Sequence, residues 1–317
     1  MAGMPPLLLR VVLLLVAIQG APRCRGDDAG FPPELVDFGP ASAVPLFEGS
    51  AGGAWDGGIR ERGWIRREGP GRWRMWYTGY DDAVSPLKRL GLATSPDGLN
   101  WTRDAAAPFL PDTWIEDGCV VRAGNRWLMF AEGDGDVAHL LESPDGRAWR
   151  RRGPIDIRLV SGAPIPPGPR GTPTAWYEAG TWWLFYERGD QGVWVARSRD
   201  LVTFTNVSDE PVLALGPDRY DARMIALDQI VKHRGRYYAY YHASAPGEKG
   251  RWCTCIARSD DLVHWTKYAG NPIVPVDEAH PATSSAILVP DGERHRLYTT
   301  HPEVRVRFSV LPVRGAP

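Results

Sequence analysis

Short segments rich in aromatic and apolar residues recur along the chain, and each is preceded by a turn that contains glycine or charged residues. Aromatic and β-branched residues concentrated between such turns are typical of β-strands. A second apolar strand and a polar turn follow each of the first four segments. The five aromatic segments are residues 72–77, 126–130, 181–186, 236–241 and, in a weaker form, 296–299. This pattern predicts an all-β chain built from repeated units.

A polar signature with fixed internal spacing follows four of the aromatic segments. It consists of Ser-x-Asp, then Gly or Leu, two further residues, and Trp or Phe. The Ser and Asp side chains bond nearby backbone in tight turns, and the aromatic residue anchors the next strand. The four copies begin at Ser95, Ser143, Ser198 and Ser259, at spacings of 48, 55 and 61 residues. Such spacings are in the range of propeller blades.

Each unit therefore predicts a four-stranded antiparallel blade, and five aromatic strands predict a five-bladed β-propeller. The last unit stops one strand short. Residues 44–47 resemble the blade-ending residues 210–213 and 271–274, so the N-terminal strand is expected to close the last blade. Residues 27–317 would form a single domain. An open β-sandwich is the alternative, and the long regular units disfavour it.

Composition and charge narrow the functional classes. The chain has 37 basic and 38 acidic residues, which gives no electrostatic reason to expect a nucleic acid or a membrane as partner. The 14 tryptophans, 35 glycines and 29 prolines suit an all-β fold that handles sugars. No cofactor is expected, although a propeller axis can hold a structural divalent cation. The oligomeric state is left open.

The first 26 residues have the features of a signal peptide. Arg10 precedes an apolar run over residues 11–18, and the small residues Gly20 and Ala21 follow it. The run is too short to span a bilayer as a helix. A secreted or periplasmic protein is therefore expected, and a disordered tail is the alternative.

Four cysteines are present, Cys24, Cys119, Cys253 and Cys255. Cys253 and Cys255 alternate on one predicted strand and so point to one face of it. A single C-x-C pair is weak evidence for a metal site, and buried free thiols are the favoured interpretation.

In a propeller, the inner strands line the axis and begin at one shared face. Asp56, Asp117 and Asp228 stand near the predicted starts of three inner strands. Carboxylates around one narrow axis repel each other, which separates their pKa values. Glycoside hydrolysis needs that difference, since one carboxyl group must be ionised and another protonated. An aspartate that only caps a turn is the alternative role for each.

At these positions the chain resembles the five-bladed propeller glycosidases, the broad group of arabinanases, xylosidases and invertases. The resemblance implies a first-blade Asp as base or nucleophile, a second-blade Asp that tunes pKa values, and a third-blade Glu as acid. Asp56 and Asp117 match the first two. At the third position this sequence has Gly171 or Thr172 instead.

Residues 171–178 and 235–242 resemble a narrower group, the 3,6-anhydro-α-L-galactosidases of glycoside hydrolase family 117. Members of that family cut neoagaro-oligosaccharides with inversion, and a histidine is assigned as the acid. The resemblance implies Asp56 as base, Asp228 as a second carboxylate and His280, which opens the fifth inner strand, as acid. A turn histidine before Pro281 is the alternative for His280.

Further side chains are expected to bind the sugar at the same rim. Tryptophans can stack on the faces of sugar rings, although a single Trp is more often part of the core. Glu132 and Glu187 lie at the ends of their aromatic strands. The substrate-binding candidates are Trp55, Arg60, Glu116, Thr172, Trp176, Gln229, His242 and His301.

The sequence thus predicts an inverting, exo-acting glycoside hydrolase whose partner is a small oligosaccharide of galactan, agar or arabinan type. A glycoside phosphorylase on the same fold is one alternative, with Arg60, Arg223 and His301 as phosphate ligands. A non-catalytic carbohydrate-binding propeller is another, and the missing third-blade Glu favours it. A sialidase is a weaker alternative, because its turn is one residue longer.

Overall fold

The structure is a computed structural model, and it describes residues 30–292 and 294–312. Its strands form five sheets in which each inner strand contacts the inner strand of the next sheet. The fifth inner strand contacts the first, so the ring is closed. The predicted five-bladed β-propeller is confirmed. The predicted signal peptide, residues 1–26, and Cys24 lie outside the described residues.

The strands of blades 1, 2, 4 and 5 and the four main strands of blade 3 follow the order of the chain from the axis outwards. Blade 1 contains β1 (Gly58–Gly69), β2 (Arg72–Asp81), β3 (Ser85–Ser95) and β4 (Thr102–Arg103). Blade 2 contains β5 (Glu116–Ala123), β6 (Arg126–Gly133), β7 (Val137–Ser143) and β8 (Arg150–Pro154). Blade 3 contains β10 (Gly171–Glu178), β11 (Thr181–Glu187), β12 (Gly192–Ser198) and β13 (Thr203–Asn206), with β9 (Asp156–Arg158) beside β13 and β14 (Leu213–Ala214) beside β12.

Blade 4 contains β15 (Met224–His233), β16 (Arg236–Ser244), β17 (Cys253–Ser259) and β18 (Thr266–Lys267). Blade 5 contains β19 (Ser284–Asp291), β20 (Arg294–His301) and β21 (Arg305–Phe308). The helices are short: α1 (Pro33–Val36) and a 3-10 helix, Arg219–Asp221. Within the described residues, no helix has both the length and the apolar character needed to cross a membrane.

The core lies between the blades, where the aromatic strands pack against their neighbours. The Trp76 and Trp127 rings are 5.5 Å apart between blades 1 and 2. Phe130 packs on Trp182 at 5.7 Å between the next two blades. Burying such large rings between sheets is the main apolar contribution to the fold. The aromatic periodicity of the sequence therefore marks blade contacts.

The four Ser-x-Asp segments form tight turns between the third and fourth strands of their blades. In the first copy, the Ser95 hydroxyl accepts the Gly98 N–H at 2.8 Å. The Asp97 carboxylate accepts the N–H groups of Leu99 and Asn100, both at 2.8 Å. The same bonds recur in the turns that begin at Ser143, Ser198 and Ser259. The sequence signature is thus a repeated backbone-capping motif.

Residues 37–47, called the closing segment below, run antiparallel to the last strand of blade 5. Val304 N–H donates to the Phe47 carbonyl and Leu46 N–H donates to the Val304 carbonyl, both at 2.7 Å. At its other end Gly39 N–H donates to the Phe308 carbonyl at 2.9 Å. The predicted closure of the last blade by the N-terminal strand is confirmed.

The three described cysteines, Cys119, Cys253 and Cys255, are buried free thiols, as predicted. The Sγ atoms of Cys253 and Cys255 lie 3.8 Å apart on one face of β17.

Candidate active site

In blades 1 to 4 the inner strand has an irregular position near its start, where the pairing with the second strand shifts register. Ser285 takes the corresponding position in blade 5, where the register does not shift. At four of these positions the backbone φ is positive: 56° at Glu61, 50° at Asp117, 43° at Thr172 and 65° at Ser285. Side chains other than glycine rarely adopt this conformation, and bulges of this kind redirect a side chain next to functional sites. Asp228 occupies the irregular position of blade 4. We call these five residues the bulge ring.

A second set of side chains stands at the ends of the second strands, opposite the bulges. Strand pairing places these residues directly beside the starts of the inner strands. They are Thr78, Glu132, Glu187, His242 and His301. We call them the rim ring. The last four are the residues that the sequence places at this rim, and the two rings together surround one end of the propeller axis.

Glu132 and Glu187 converge on Gly171. The position that a Cβ of residue 171 would occupy is 2.2 Å from a Glu187 oxygen and 2.4 Å from a Glu132 oxygen, so only glycine fits there. The Gly171 N–H donates to Glu187 at 3.0 Å, and the Thr172 N–H donates to Glu132 at 2.9 Å. The missing third-blade side chain thus leaves room for two carboxyl groups.

Burial raises the pKa values of the carboxyl groups at this rim. Burial raises the pKa of Glu187 to about 7, with a further contribution from Asp190. It raises the pKa of Glu132 far more, and the negative charges of Asp117 and Glu116 add to the effect. The pKa of Asp117 is raised by burial and by Glu61. Protonated carboxyl groups are therefore present in the cavity at neutral pH.

His242 and Asp228 form a buried ion pair. The Nδ1 of His242 lies 2.7 Å from Asp228 Oδ1, and the other Asp228 oxygen accepts the Ala286 N–H at 3.0 Å. Burial lowers the pKa of His242, but the Asp228 carboxylate outweighs burial and raises the pKa to about 9. His242 is consequently an imidazolium at neutral pH.

His301 is the opposite case. Its Nδ1 accepts the N–H of Glu61 at 2.9 Å, so the ring proton lies on Nε2. Burial and the nearby Arg60 charge lower the pKa of His301 to about 4. A neutral imidazole with a free Nε2–H suits hydrogen bonding to a sugar hydroxyl.

Arg60 lies at the half-exposed edge of the cavity between two carboxylates. Its guanidinium is 2.7 Å from Glu61 and 3.0 Å from Glu116. The indole N–H of Trp114 donates to the other Glu116 oxygen at 2.7 Å. Trp114 is half-buried beside this group. Arg60 and Glu116 lie at the predicted rim. The positive charge of Arg60 is largely balanced by Glu116 and Glu61.

The guanidinium of Arg62 fills the axis below the carboxyl groups. It donates to the carbonyls of Pro173 at 2.7 Å and Leu227 at 2.8 Å, and to the carbonyl of Asp117. The backbone N–H of Arg62 donates to Asp117 Oδ1 at 3.0 Å. Arg62 is only 1% exposed, so it closes the bottom of the cavity with a buried positive charge. Among the described residues, no group of three or more His, Cys, Asp or Glu side chains is arranged to hold a metal ion.

Asp56 and Trp55 do not belong to this site, which corrects the prediction. One oxygen of Asp56 accepts the hydroxyl of Tyr77 at 2.8 Å and the Nε–H of Arg103 at 2.9 Å. Arg103 is on β4, the outermost strand of blade 1, so the carboxylate is drawn into the blade and away from the axis. Trp55 stacks on Tyr77 at 6.0 Å. Glu61 takes the axial position that the sequence analysis gave to Asp56.

His280 also lies elsewhere. It is in the loop before β19, where its ring contacts Asp277 at 3.6 Å and Arg305 at 3.4 Å, and its side chain is 41% exposed. Arg305 is on β21, the third strand of blade 5. His280 is therefore a surface turn histidine, and the histidines of the cavity are His242 and His301.

Two further candidates are structural. Trp176 pairs with Trp183 well along β10, and its indole N–H donates to Glu178 at 3.2 Å near the opposite end of the strand. The amide of Gln229 exchanges hydrogen bonds with the backbone of Leu288, at 2.7 and 3.1 Å, and so joins the inner strands of blades 4 and 5. Neither side chain is free to bind a sugar.

The sequence analysis missed Glu61 and Asp190 as members of the site. Burial raises the pKa of Asp190. The charge of His242 lowers this pKa, and the charges of Asp117 and Glu61 raise it. Counting residues back from the hairpin turn between β1 and β2 does not locate the axial residue of blade 1. The first register shift of this pair leaves three residues of β1 opposite one of β2. Ser285 takes the position of Glu61 in blade 5, and its residue type does not indicate a catalytic site.

Comparison with known proteins shows what the chain resembles. No family model matches it. An uncharacterised protein of Mycobacterium tuberculosis is 28% identical over 228 residues, which are 66% of this chain and 75% of that protein.

Three solved structures share the architecture. A glycosyl hydrolase of Bacteroides ovatus superposes with a TM-score of 0.66 at 14% identity, covering 90% of this chain and 97% of that one. For the β-1,2-mannobiose phosphorylase of Listeria innocua, the TM-score is 0.60 at 16% identity, and the superposition covers 84% of this chain and 90% of that one. For a glycoside hydrolase family 43 protein of Bacillus licheniformis, the TM-score is 0.57 at 14% identity, and the superposition covers 82% of this chain and 50% of that one. The fold is shared. The narrower resemblance to family 117 stays a prediction.

Proposed function

We propose that the protein is a glycoside hydrolase whose reaction takes place in the axial cavity. The observation that carries the proposal is a row of three electrostatically linked carboxyl groups from separate chain segments, Glu61, Asp117 and Glu132. Glu61 raises the pKa of Asp117, and Asp117 raises the pKa of Glu132, in each case after burial as the first cause. Glycoside hydrolysis requires such a division between a protonated and an ionised group.

Glu132 is the proposed general acid. Burial keeps it protonated, and only one of its oxygens accepts a backbone N–H, that of Thr172 at 2.9 Å. Both oxygens of Glu187 accept backbone N–H groups, which makes it the poorer donor. Glu132 gives its proton to the glycosidic oxygen as the bond from that oxygen to the anomeric carbon breaks.

Glu61 is the proposed general base. It is the carboxylate of the row that is open to solvent, and its partner is Arg60 at 2.7 Å. It takes a proton from the water whose oxygen bonds to the anomeric carbon, so that configuration is inverted. Asp117, held by the Arg62 N–H at 3.0 Å, adds its charge to burial in raising the pKa of the acid, Glu132.

Two aromatic side chains at the cavity offer faces or edges for sugar rings. Trp114 is half-buried next to Glu116, and Trp252 lies edge-on to His242 with ring centroids 5.0 Å apart. We propose a small oligosaccharide of galactan, agar or arabinan type, cut from one end. An extracellular or periplasmic location, predicted by residues 1–26, fits an enzyme that acts on polysaccharide fragments.

Phosphorolysis is the second candidate, because a mannobiose phosphorylase is among the structures with the same fold. Its phosphate would need free cations at the rim. Arg60 is neutralised by Glu61 and Glu116, and His301 is uncharged because its pKa is lowered to about 4. The electrostatics therefore favour hydrolysis.

The test is a panel of galactan, agar and arabinan oligosaccharides incubated with the protein in phosphate-free buffer and in phosphate. NMR follows the anomer that is released first. We expect phosphate-independent release of a monosaccharide or disaccharide with inversion. Turnover only with phosphate would establish the phosphorylase. Saturable sugar binding without turnover, unchanged in Glu61→Gln and Glu132→Gln, would establish a binding propeller.

A further inference from the structure

Three arginines surround one tryptophan on the face opposite the axial cavity, between blades 1 and 2. Arg66 and Arg74 are paired across β1 and β2 near their hairpin turn. Arg122 is paired with Trp127 across β5 and β6 near the next hairpin turn. The inner strands begin at the cavity, so these residues lie at the far ends of the strands. We call Arg66, Arg74 and Arg122 the arginine cluster.

The cluster concentrates positive charge around the Trp127 indole. The guanidinium carbons of Arg74, Arg122 and Arg66 lie 5.1, 5.3 and 5.5 Å from the Trp127 ring centroid. Each cation is attracted to the negative face of the ring. The three cations repel each other at the same time, and attraction to a neutral ring does not cancel their charge.

The protein's own anions do not balance this charge. Arg74 is 3.1 Å from Glu68 and also donates to the Asp145 carbonyl at 2.6 Å. Within residues 30–292 and 294–312, the side chains of Arg66 and Arg122 form no ion pair or hydrogen bond, and the Nε of Arg66 is buried without a partner. Three cations therefore face one carboxylate.

The ionisation of Arg66 reflects the same imbalance. Burial lowers the pKa of Arg66, Glu68 opposes this, and the charges of Arg122 and Arg74 lower the pKa further. A bound anion at the cluster would reverse these effects, because it would pair with the cation that burial and repulsion now disfavour.

We propose that the arginine cluster binds an oxyanion, a sulfate, phosphate or carboxylate group. Guanidinium groups bind such groups through two parallel N–H···O bonds, and Arg66 and Arg122 have these donors free. The oxyanion is either a free ion or a substituent of an acidic polysaccharide, and it binds away from the axial cavity.

The experiment measures binding to the full chain at constant ionic strength. The probes are sodium sulfate, sodium phosphate, a sulfated oligosaccharide and a uronic acid oligosaccharide, each titrated by calorimetry against a sodium chloride baseline. The variants are Arg122→Gln and Arg66→Met. Arg199→Gln is the matched control, since Arg199 is an exposed arginine of blade 3 and its replacement removes the same charge.

We expect saturable one-to-one binding of at least one probe, with the dissociation constant raised about tenfold or more in Arg122→Gln and unchanged in Arg199→Gln. Binding of the free ions as tightly as the oligosaccharides would identify a free ion as the ligand, whereas tighter binding of an oligosaccharide would identify a polysaccharide substituent. Thermal unfolding curves verify that Arg66→Met is folded. Equal loss in both glutamine variants, or no saturable binding by the unchanged protein, would overturn the proposal.

Discussion

The imidazolium of His242 depends chiefly on one partner, the Asp228 carboxylate 2.7 Å away. Burial lowers the pKa of this histidine, and the ion pair with Asp228, followed by the charges of Asp190 and Asp117, raises it to about 9. We expect Asp228→Asn to lower the pKa of His242 by at least two units, since the isosteric amide removes the charge and leaves burial. NMR titration of the imidazole Cε1–H measures the shift, and an unchanged pKa would contradict it.

The same pair makes stability depend on pH. The pKa of His242 is higher in the folded than in the unfolded chain, so the ion pair stabilises the fold fully below pH 6.5. Its contribution is lost as the pH rises through about 9. The difference in free energy of unfolding between the unchanged protein and Asp228→Asn should therefore shrink over this interval.

Glu132 and Glu61 have separable roles in the proposed reaction. Glu132→Gln should lower kcat about 10²- to 10⁴-fold on an oligosaccharide, because the leaving oxygen is no longer protonated. It should lower kcat much less on a dinitrophenyl glycoside, whose leaving group needs no proton. Glu61→Gln should be slow on both substrates, because water must be activated in either case. Steady-state kinetics with both substrates measures the difference.

Asp56→Asn is the control for this pair, since Asp56 lies inside blade 1 with Tyr77 and Arg103. It is expected to lower stability and to leave the ratio of the two activities unchanged. Slow turnover of both substrates by Asp56→Asn, together with undiminished turnover by Glu61→Gln, would return the role of base to the position that the sequence analysis chose.

At the scale of elements, the Ser-x-Asp turns are the unit that repeats most faithfully. Ser95 is buried, and its hydroxyl accepts the buried Gly98 N–H at 2.8 Å. Ser95→Ala should leave that donor unpaired and lower the free energy of unfolding by about 1–3 kcal/mol. Ser143→Ala should have a similar effect, because Ser143 accepts Gly146 N–H at 2.9 Å. Urea unfolding measures both, and a negligible change in either would contradict the shared role.

These turns also explain why the fold could be predicted from the sequence. A turn is formed by residues a few positions apart, so the hydrogen-bond partners of Ser95 and Asp97 are close to them in the sequence. The aromatic strands are local patterns for the same reason. The closing segment was identified because residues 44–47 repeat the end of a blade.

The site could be predicted only in part, because its geometry comes from bulges. The register shift at Glu61 is set by contacts with β2 and with His301 of blade 5, more than two hundred residues away. Asp117 and Asp228 were found because the register shifts of blades 2 and 4 add one residue, whereas that of blade 1 adds two. Asp56 was misplaced because sequence spacing does not record how many residues the register shift of blade 1 absorbs. His280 was misplaced because β19 begins only at Ser284, so His280 lies in the loop before that strand.

At the scale of the whole molecule, Arg62 joins four blades at the axis. Its side chain belongs to blade 1 and donates to carbonyls of Asp117, Pro173 and Leu227 in blades 2, 3 and 4. Arg62→Met should leave these buried acceptors unpaired and lower the free energy of unfolding by about 3–5 kcal/mol. Calorimetric unfolding measures the loss.

Arg62→Lys is the matched variant, since it keeps the positive charge beside Asp117 and loses the fork of donors. It should be destabilised less than Arg62→Met. Equal stability of the two variants would show that the hydrogen bonds across the axis, and not the charge, hold the inner strands together.

The closing segment pairs with β21, a strand that is synthesised after blades 1 to 4. Phe47 must remain without its partner until Val304 has left the ribosome, while blades 1 to 4 are already complete. The ring is therefore finished by a contact between distant parts of the sequence, and such contacts slow folding. A ribosome that stalls within blade 5 would leave an open arc with two unpaired edges, the kind of surface on which other chains add strands.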